Sequence, residues 1–167
     1  MTLQDCRIKL VNLLSYSHVR FADETMSGTT TAAQRDALAT NEKVKECFTI
    51  FRESSQKCVS EVPTAGLTYT EVRTSLINIV KQLAYEATKF ALVMKGDLSA
   101  LEKESSEQIC GALGSAAQKV ATVSLLVGAC GACDALRNAV FALALRSLKA
   151  AENLLASVGD DAKVRYQ

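Results

Sequence analysis

Apolar residues recur at intervals of three, four and seven along most of this chain, the spacing that places side chains on one side of an α-helix. The pattern is clearest between Val72 and Met94 and recurs in four other stretches. Polar segments containing Gly, Pro or Thr separate these stretches, as loops between helices do. The pattern therefore predicts five helices, over residues 3–21, 32–59, 69–95, 99–128 and 134–158.

Local signals support the predicted helix ends. Thr68 to Glu71 and Ser99 to Glu102 each begin with a hydroxyl residue and finish with Glu, so the two side chains can satisfy opposing free amides at a helix start. Thr residues before position 32 and Asp134 are expected to cap the second and fifth helices. Gly96 lies shortly before Ser99, which predicts an antiparallel hairpin of the third and fourth helices. We expect the fifth helix to end at Gly159.

Composition favours packed helices over a sheet. The chain has 167 residues, of which 49% are hydrophobic and only 5% aromatic, and it has one Pro. A sheet would recruit more aromatic residues and more turns. We predict an all-α protein, a single antiparallel four- or five-helix bundle that forms one domain over residues 1–167. Residues 32–41 are weakly apolar and are expected to lie partly outside the bundle.

Charge and hydropathy exclude some kinds of partner. The formal net charge is +1, which provides no field to attract nucleic acid. The longest weakly charged stretch, from Val120 to Leu136, is interrupted by Gly128, Gly131 and Asp134 and is too short for an apolar transmembrane helix. The first residues lack the basic and apolar segments of a secretory signal. We therefore expect a soluble, cytoplasmic protein without a membrane span.

Six cysteines occur in the chain, and we expect free thiols because a domain of this size does not need disulfides for a core. Cys130 and Cys133 are spaced like a redox or metal motif. A second ligand pair for a metal is missing from the sequence, and the two thiols follow a helix where a redox motif follows a strand. We interpret them as part of a helix-to-helix turn, with a thiol redox switch as the alternative.

Catalytic motifs are not evident. Histidine is the usual general base near neutral pH, and the chain has only His18, beside the apolar stripe of the first predicted helix. The sequence contains neither a nucleophile-elbow motif nor a phosphate-binding or dinucleotide-binding loop. We predict a non-enzymatic protein with no cofactor and no bound metal.

The fifth predicted helix has apolar residues on more than one side, so it lies centrally in the bundle or contacts a partner. Its segment Ala139–Leu155, with Gln118–Val123 before it, resembles the α-helical bundles of the talin and vinculin group, including focal-adhesion-targeting modules. Some bundles of that group release a helix into a partner's groove. The resemblance implies a ligand face formed by Val140, Leu143, Leu148, Ala151 and Leu154.

These observations predict a protein–protein interaction module that binds a partner helix or a cytoskeletal or adaptor protein through amphipathic helix packing. One alternative is a carrier of an apolar small molecule or lipid in the bundle core, because small residues on facing helices can leave a cavity. The other is the redox switch at Cys130 and Cys133. The same apolar surface could also pair with a second copy to form a homodimer.

Overall fold

A computed structural model describes residues 31–57, 66–94, 103–130 and 132–164. This part of the chain is helical apart from short turns, and the all-α bundle is confirmed. The helix predicted over residues 3–21 lies outside the described residues, together with Gly96, the Ser99 to Glu102 segment and His18. The four described helices are α1 (Ala32–Lys57), α2 (Tyr69–Met94), α3 (Lys103–Ala129) and α4 (Asp134–Val164).

Reciprocal hydrogen bonds close the starts of α1 and α2. The Thr31 N–H donates to Gln34 Oε1 at 2.9 Å, and the Gln34 N–H donates to Thr31 Oγ1 at 3.3 Å. The Thr68 N–H donates to Glu71 Oε2 at 2.8 Å, and the Glu71 N–H donates to Thr68 Oγ1 at 3.3 Å. The backbone N–H of Thr68, followed by its hydroxyl, lowers the pKa of Glu71 by stabilising the carboxylate. The predicted capping by threonine is confirmed at both helices.

The bounds of α4 differ from those predicted at both ends. The Arg137 N–H donates to the Cys133 carbonyl at 3.0 Å, so Asp134 is the first helical residue and not the cap. Its carboxylate pairs with Arg137 at 2.8 Å. The prediction that α4 ends at Gly159 was wrong, because the helix continues to Val164. Glycine costs only about 1 kcal/mol relative to alanine inside a helix, so one glycine does not stop a helix.

Two contacts show that α1 and α3 run in the same direction. The Ser106 hydroxyl donates a short hydrogen bond to Asp36 Oδ2. One turn further along α1, Thr40 lies against Gly114 of α3. The residue numbers increase together on both helices, as they do in a parallel pair.

The other two helices run in the opposite direction. At the far end of α3, the Cys130 thiol lies 3.7 Å from the Leu67 carbonyl oxygen, just before α2 begins. On α4, the ring of Phe141 meets the ring of Phe51 of α1 edge-on, with centroids 5.6 Å apart. Hydrogen bonding to Glu42 raises the pKa of Lys45, with a smaller contribution from the charge of Glu152 on α4. Thus α2 and α4 are both antiparallel to α1 and α3, and parallel to each other.

The packing is uneven around the bundle. α3 contacts all three other described helices, and α1 packs on α3 and α4. α2 packs mainly on α3, touches α4 at few positions and lies across the bundle from α1. Among the four described helices, the side of the bundle between α2 and α4 is therefore loosely closed.

The early part of α1 is inside the bundle, contrary to the expectation for residues 32–41. Ala33 and Ala37 are fully buried, and Thr40 is nearly so. A Cβ atom at Gly114 would lie only 2.8 Å from Thr40 Cγ2. Small side chains on both helices permit this close approach of α1 and α3. Residues 32–41 are weakly hydrophobic because their buried side chains are small or polar, including Gln34 and Asn41. Arg35 and Leu38 lie on the exposed side of the same stretch.

α3 is the central helix of the described part. Its fully buried side chains include Leu113, Ala116, Ala117 and Ala121. By length and composition alone, Glu104–Ala129 is apolar enough to cross a membrane, and it is the one such helix among the described residues. Just over half of its most apolar 18-residue window is buried inside the bundle, and the core helix of a soluble protein passes the same test. The expectation of no membrane span stays a prediction.

Candidate functional site

The five residues that the family resemblance implies as a ligand face do not form one surface. Leu148 is fully buried and Ala151 nearly so, and both belong to the core. Val140 and Leu154 are half-buried and pack against the core, while Leu143 is 59% exposed. A partner could reach Leu148 and Ala151 only if α4 separated from the bundle. As the bundle stands, Leu143 is the most accessible of the five.

Leu136 extends the accessible strip on α4. It is 38% exposed and lies one to two turns before Val140 and Leu143 on the same side of the helix. The exposure follows from the position of α2, which does not cover this side of α4.

α2 is less buried than its regular apolar pattern predicted. Only Val72, Leu83 and Phe90 of that helix are buried. Val80, which lies within this apolar pattern, is 43% exposed, and Ile77 one turn before it is 41% exposed. The reason is geometric, because α2 has one main neighbour, α3, and a single neighbour buries only a narrow strip of a helix.

The exposed apolar strips of α2 and α4 face the same gap. On α2 the buried strip comprises Val72, Leu83 and Phe90, and the exposed apolar strip comprises Ile77, Val80 and Ala84. Successive residues are about 100° apart around a helix. When α2 is viewed from its first residue, the exposed strip therefore lies clockwise of the buried strip. On α4 the buried strip comprises Phe141, Ala144 and Leu148. Viewed in the same way, the strip of Leu136, Val140 and Leu143 lies anticlockwise of it, on the side of α4 that faces away from α1. Because α2 and α4 are parallel neighbours, these two sides face each other. We call this surface the α2–α4 seam, and it comprises Ile77, Val80 and Ala84 of α2 and Leu136, Val140 and Leu143 of α4.

The two sides of the α2–α4 seam are in register along the bundle. Both helices begin at the end where α3 finishes, as the contact of Cys130 with Leu67 shows. Leu143 lies nine residues after the start of α4, and Ile77 and Val80 lie eight and eleven residues after the start of α2. These three exposed side chains are therefore at nearly the same level, near the middle of the seam.

Basic side chains border the α2–α4 seam. Arg73 and Lys81 of α2 and Arg146 of α4 are exposed, and their positions on the helices place them next to the apolar strips. The carboxylates of Glu71 and Glu152 project from other sides of the same two helices. The border is therefore positive, although the whole chain is nearly neutral. A negatively charged ligand would be favoured at this surface over a basic one.

The cysteines divide into buried and accessible thiols. Cys47 and Cys110 are buried and free, and burial raises the pKa of each to about 12. Cys130 is half-buried, Cys133 is exposed, and neither is in a disulfide. They flank the turn from α3 to α4, as the helix-to-helix interpretation predicted. Cys6 and Cys58 lie outside the described residues.

The described residues contain a surface depression of about 300 Å³ on α1, lined by Phe48, Thr49, Arg52, Glu53 and Gln56. All of these residues belong to one helix, so the depression is not a cavity between facing helices. Within the described ranges, no group of three or more His, Cys, Asp or Glu side chains could hold a metal ion. Among the described residues, the α2–α4 seam is therefore the candidate site.

Comparison with known proteins identifies no relative: no protein-family model, no curated protein and no solved structure matches the chain. The resemblance to talin and vinculin bundles therefore rests on the sequence pattern alone.

Proposed function

We propose that this protein is a non-enzymatic interaction module whose α2–α4 seam receives an amphipathic helix of another protein. The observation that carries the proposal is the pairing of two exposed apolar strips across the loosely closed side of the bundle. Helix-in-groove recognition requires such a surface, with apolar anchors on the incoming helix at intervals of three, four and seven residues. A cytoskeletal or adaptor partner is the class that the resemblance implies.

The positive charge along the border of the α2–α4 seam indicates which charged residues the partner helix carries. Arg73, Lys81 and Arg146 would lie beside the polar edges of an incoming helix. Acidic residues at those edges would form exposed ion pairs, each contributing up to about 1 kcal/mol and improving selectivity and association rate more than affinity. We therefore propose a partner helix with a leucine-rich face and acidic flanks.

The apolar anchors supply most of the affinity. Burying a side chain of this size completely contributes about 1.5–3 kcal/mol. Leu143 is 59% exposed, so covering its remaining surface contributes roughly half of that range. Replacing Leu143 with Asp removes this contribution and places a charge in the interface. We expect the dissociation constant to rise by about tenfold or more, since about 1.4 kcal/mol corresponds to tenfold.

The test is affinity purification of the tagged full chain from cells, followed by native mass spectrometry. A stoichiometric protein partner should be retained by the unmodified chain and lost by the double variant L143D/V80D. L92D is the matched control, because Leu92 is 69% exposed but its side chain points about 120° away from that of Val80 around α2. Thermal unfolding should be unchanged in all variants.

Two results would contradict the proposal. If L143D/V80D keeps the partner, or if L92D loses it equally, the seam is not the binding surface. Recovery of a stoichiometric lipid without a protein partner would instead support the carrier function. These results are interpreted only for variants whose unfolding temperature equals that of the unmodified chain.

A further inference from the structure

The outward side of α2 carries the two most exposed large hydrophobic side chains among the described residues. Leu92 is 69% exposed and Tyr85 is 65% exposed. They are seven residues apart in one helix, so they lie on one line about two turns from each other. This line is farther around α2 than the α2–α4 seam, since the side chain of Leu92 points about 120° away from that of Val80. It is therefore a separate surface, which the proposed function does not use.

Basic side chains lie beside this apolar line. Lys81 and Lys89 are each four residues from Tyr85, so both are its neighbours on the helix surface, and all three side chains are exposed. Between Arg73 and Met94 the only acidic residue is Glu86, which is half-buried and points about 100° away from Tyr85. The surface is therefore both apolar and positively charged. We call it the outer face of α2, and it comprises Thr74, Lys81, Tyr85, Thr88, Lys89 and Leu92.

The two threonines of the outer face carry hydroxyls that need no water. Thr74 Oγ1 donates to the Thr70 carbonyl at 2.9 Å, and Thr88 Oγ1 donates to the Ala84 carbonyl at 2.9 Å. A hydroxyl that leaves water without another partner makes burial unfavourable. Both hydroxyls already have a partner within the helix, so the outer face can leave water without unpaired hydroxyl groups.

The shape of the outer face limits the kind of partner that fits it. α2 packs mainly on α3, so among the described helices its outer face is one convex surface without a second wall. A partner helix binds in a groove, as proposed for the α2–α4 seam. A lipid surface needs no groove, because an amphipathic helix can lie in the plane of the headgroups with its apolar side chains inserted. The convex shape therefore favours a lipid surface.

The charges favour anionic lipid over a second copy of the chain. If two outer faces paired antiparallel about Tyr85, Lys81 of each copy would lie beside Lys89 of the other. Like charges so placed repel each other. Anionic headgroups carry the opposite charge, and each basic side chain near them strengthens binding about fivefold.

We propose that the outer face of α2 binds the surface of an anionic lipid bilayer, with α2 lying in the plane of the membrane. Leu92 enters the boundary between headgroups and acyl chains, and the Tyr85 ring lies at the level of the headgroups, where its hydroxyl stays hydrated. Lys81 and Lys89 extend to lipid phosphates beside the ring. This binding is peripheral, requires no helix to span the bilayer, and is independent of the proposed function.

Sedimentation of the full chain with lipid vesicles tests the binding. The chain should sediment with vesicles that contain phosphatidylserine, and its affinity for vesicles of phosphatidylcholine alone should be roughly a hundredfold lower. Y85Q/L92Q removes the apolar anchors and should lower the affinity for the anionic vesicles roughly tenfold or more. K81Q/K89Q should lower it to a similar degree by removing two charges. Glutamine has a high helix propensity, so thermal unfolding should be unchanged in these variants.

Two control variants separate the outer face from the rest of the surface. V80Q/L143Q removes apolar groups from the α2–α4 seam, and K45Q/K149Q removes two exposed positive charges from α1 and α4. Both should keep vesicle binding. An equal loss in a control and in the corresponding outer-face variant would overturn the proposal, and so would equal affinity for anionic and neutral vesicles. Binding to duplex DNA without binding to vesicles would also overturn it, because the basic side chains would then serve nucleic acid.

A tryptophan reporter measures the contact without removing it. The chain contains no Trp, so L92W and L143W each place a single indole at an exposed leucine. On addition of anionic vesicles the emission of L92W should shift to shorter wavelength, and lipids brominated on their acyl chains should quench it. L143W should show neither effect. An unchanged L92W spectrum while the chain sediments with the vesicles would overturn the proposal, because another surface would then contact the lipid, and a chain that sediments with neither kind of vesicle would overturn it outright.

Discussion

Replacing Gly114 with alanine tests the closest approach of two helices in the structure. A Cβ atom there would lie 2.8 Å from Thr40 Cγ2, whereas nothing lies within 4 Å of a Cβ atom at Gly111 in the same helix. Thr40 is β-branched and nearly buried, so its methyl group cannot rotate away freely. One of the helices, or the Thr40 side chain, must shift to accept the new methyl group.

The variant G111A is the control that isolates the cost of overpacking at position 114. Both substitutions exchange Gly for Ala inside α3, so both gain the helix propensity of about 1 kcal/mol. G111A should therefore raise the free energy of unfolding by about 0.5–1 kcal/mol. G114A adds an overpacking cost of typically about 1–3 kcal/mol. The difference between the two variants should equal that cost, because the propensity gain cancels.

Urea unfolding followed by far-ultraviolet circular dichroism measures this difference, and thermal unfolding should show it as about 2–4 °C per kcal/mol for a chain of this size. T40S removes the methyl group that Gly114 faces. In the G114A background it should recover a large part of the lost stability, which would appear as a favourable coupling in the double-mutant cycle. If G114A is as stable as G111A, then α1 and α3 are further apart at this level than the structure places them.

Three further predictions concern the core. Burial raises the pKa of the Cys47 and Cys110 thiols from 9.0 to about 12, and unfolding exposes both thiols to water. Because the unfolded state loses these protons first, the free energy of unfolding should fall as pH rises above about 9, and urea titrations at increasing pH should show this fall. S106A should cost about 1–3 kcal/mol because Asp36 loses a partly buried partner, and adding D36A should cost less than the sum of the single changes. L148A should lower the free energy of unfolding by about 2–5 kcal/mol, because Leu148 is fully buried; an unchanged melting temperature would show that this side chain is outside the core.

The positions of most described helices could be predicted from the sequence because their signals are local. A threonine and the Gln or Glu three residues later mark the starts of α1 and α2 through hydrogen bonds within one turn. The apolar period identified all four described helices for the same reason. Helix ends were less certain, since Gly159 lies inside α4. A glycine lowers helix stability by a small amount, and the rest of the helix can compensate.

Burial was harder to predict because it depends on which helices become neighbours. Val80 and Leu148 both lie on apolar stripes, yet the first is exposed and the second fully buried. α2 packs mainly on α3, which leaves Val80 uncovered. α4 packs on both α1 and α3, which together cover Leu148. No property of either residue distinguishes the two outcomes.

The sequence alone determined that this protein is helical, where most of its described helices lie and that apolar side chains occupy more than one side of α4. Those features arise from hydrogen bonding and side-chain spacing within a few residues. Only the tertiary structure decided which apolar residues form the core and which form the α2–α4 seam. Packing joins residues that are far apart in the chain, so the exposed strips of α2 and α4 became one surface only when both helices packed against α3.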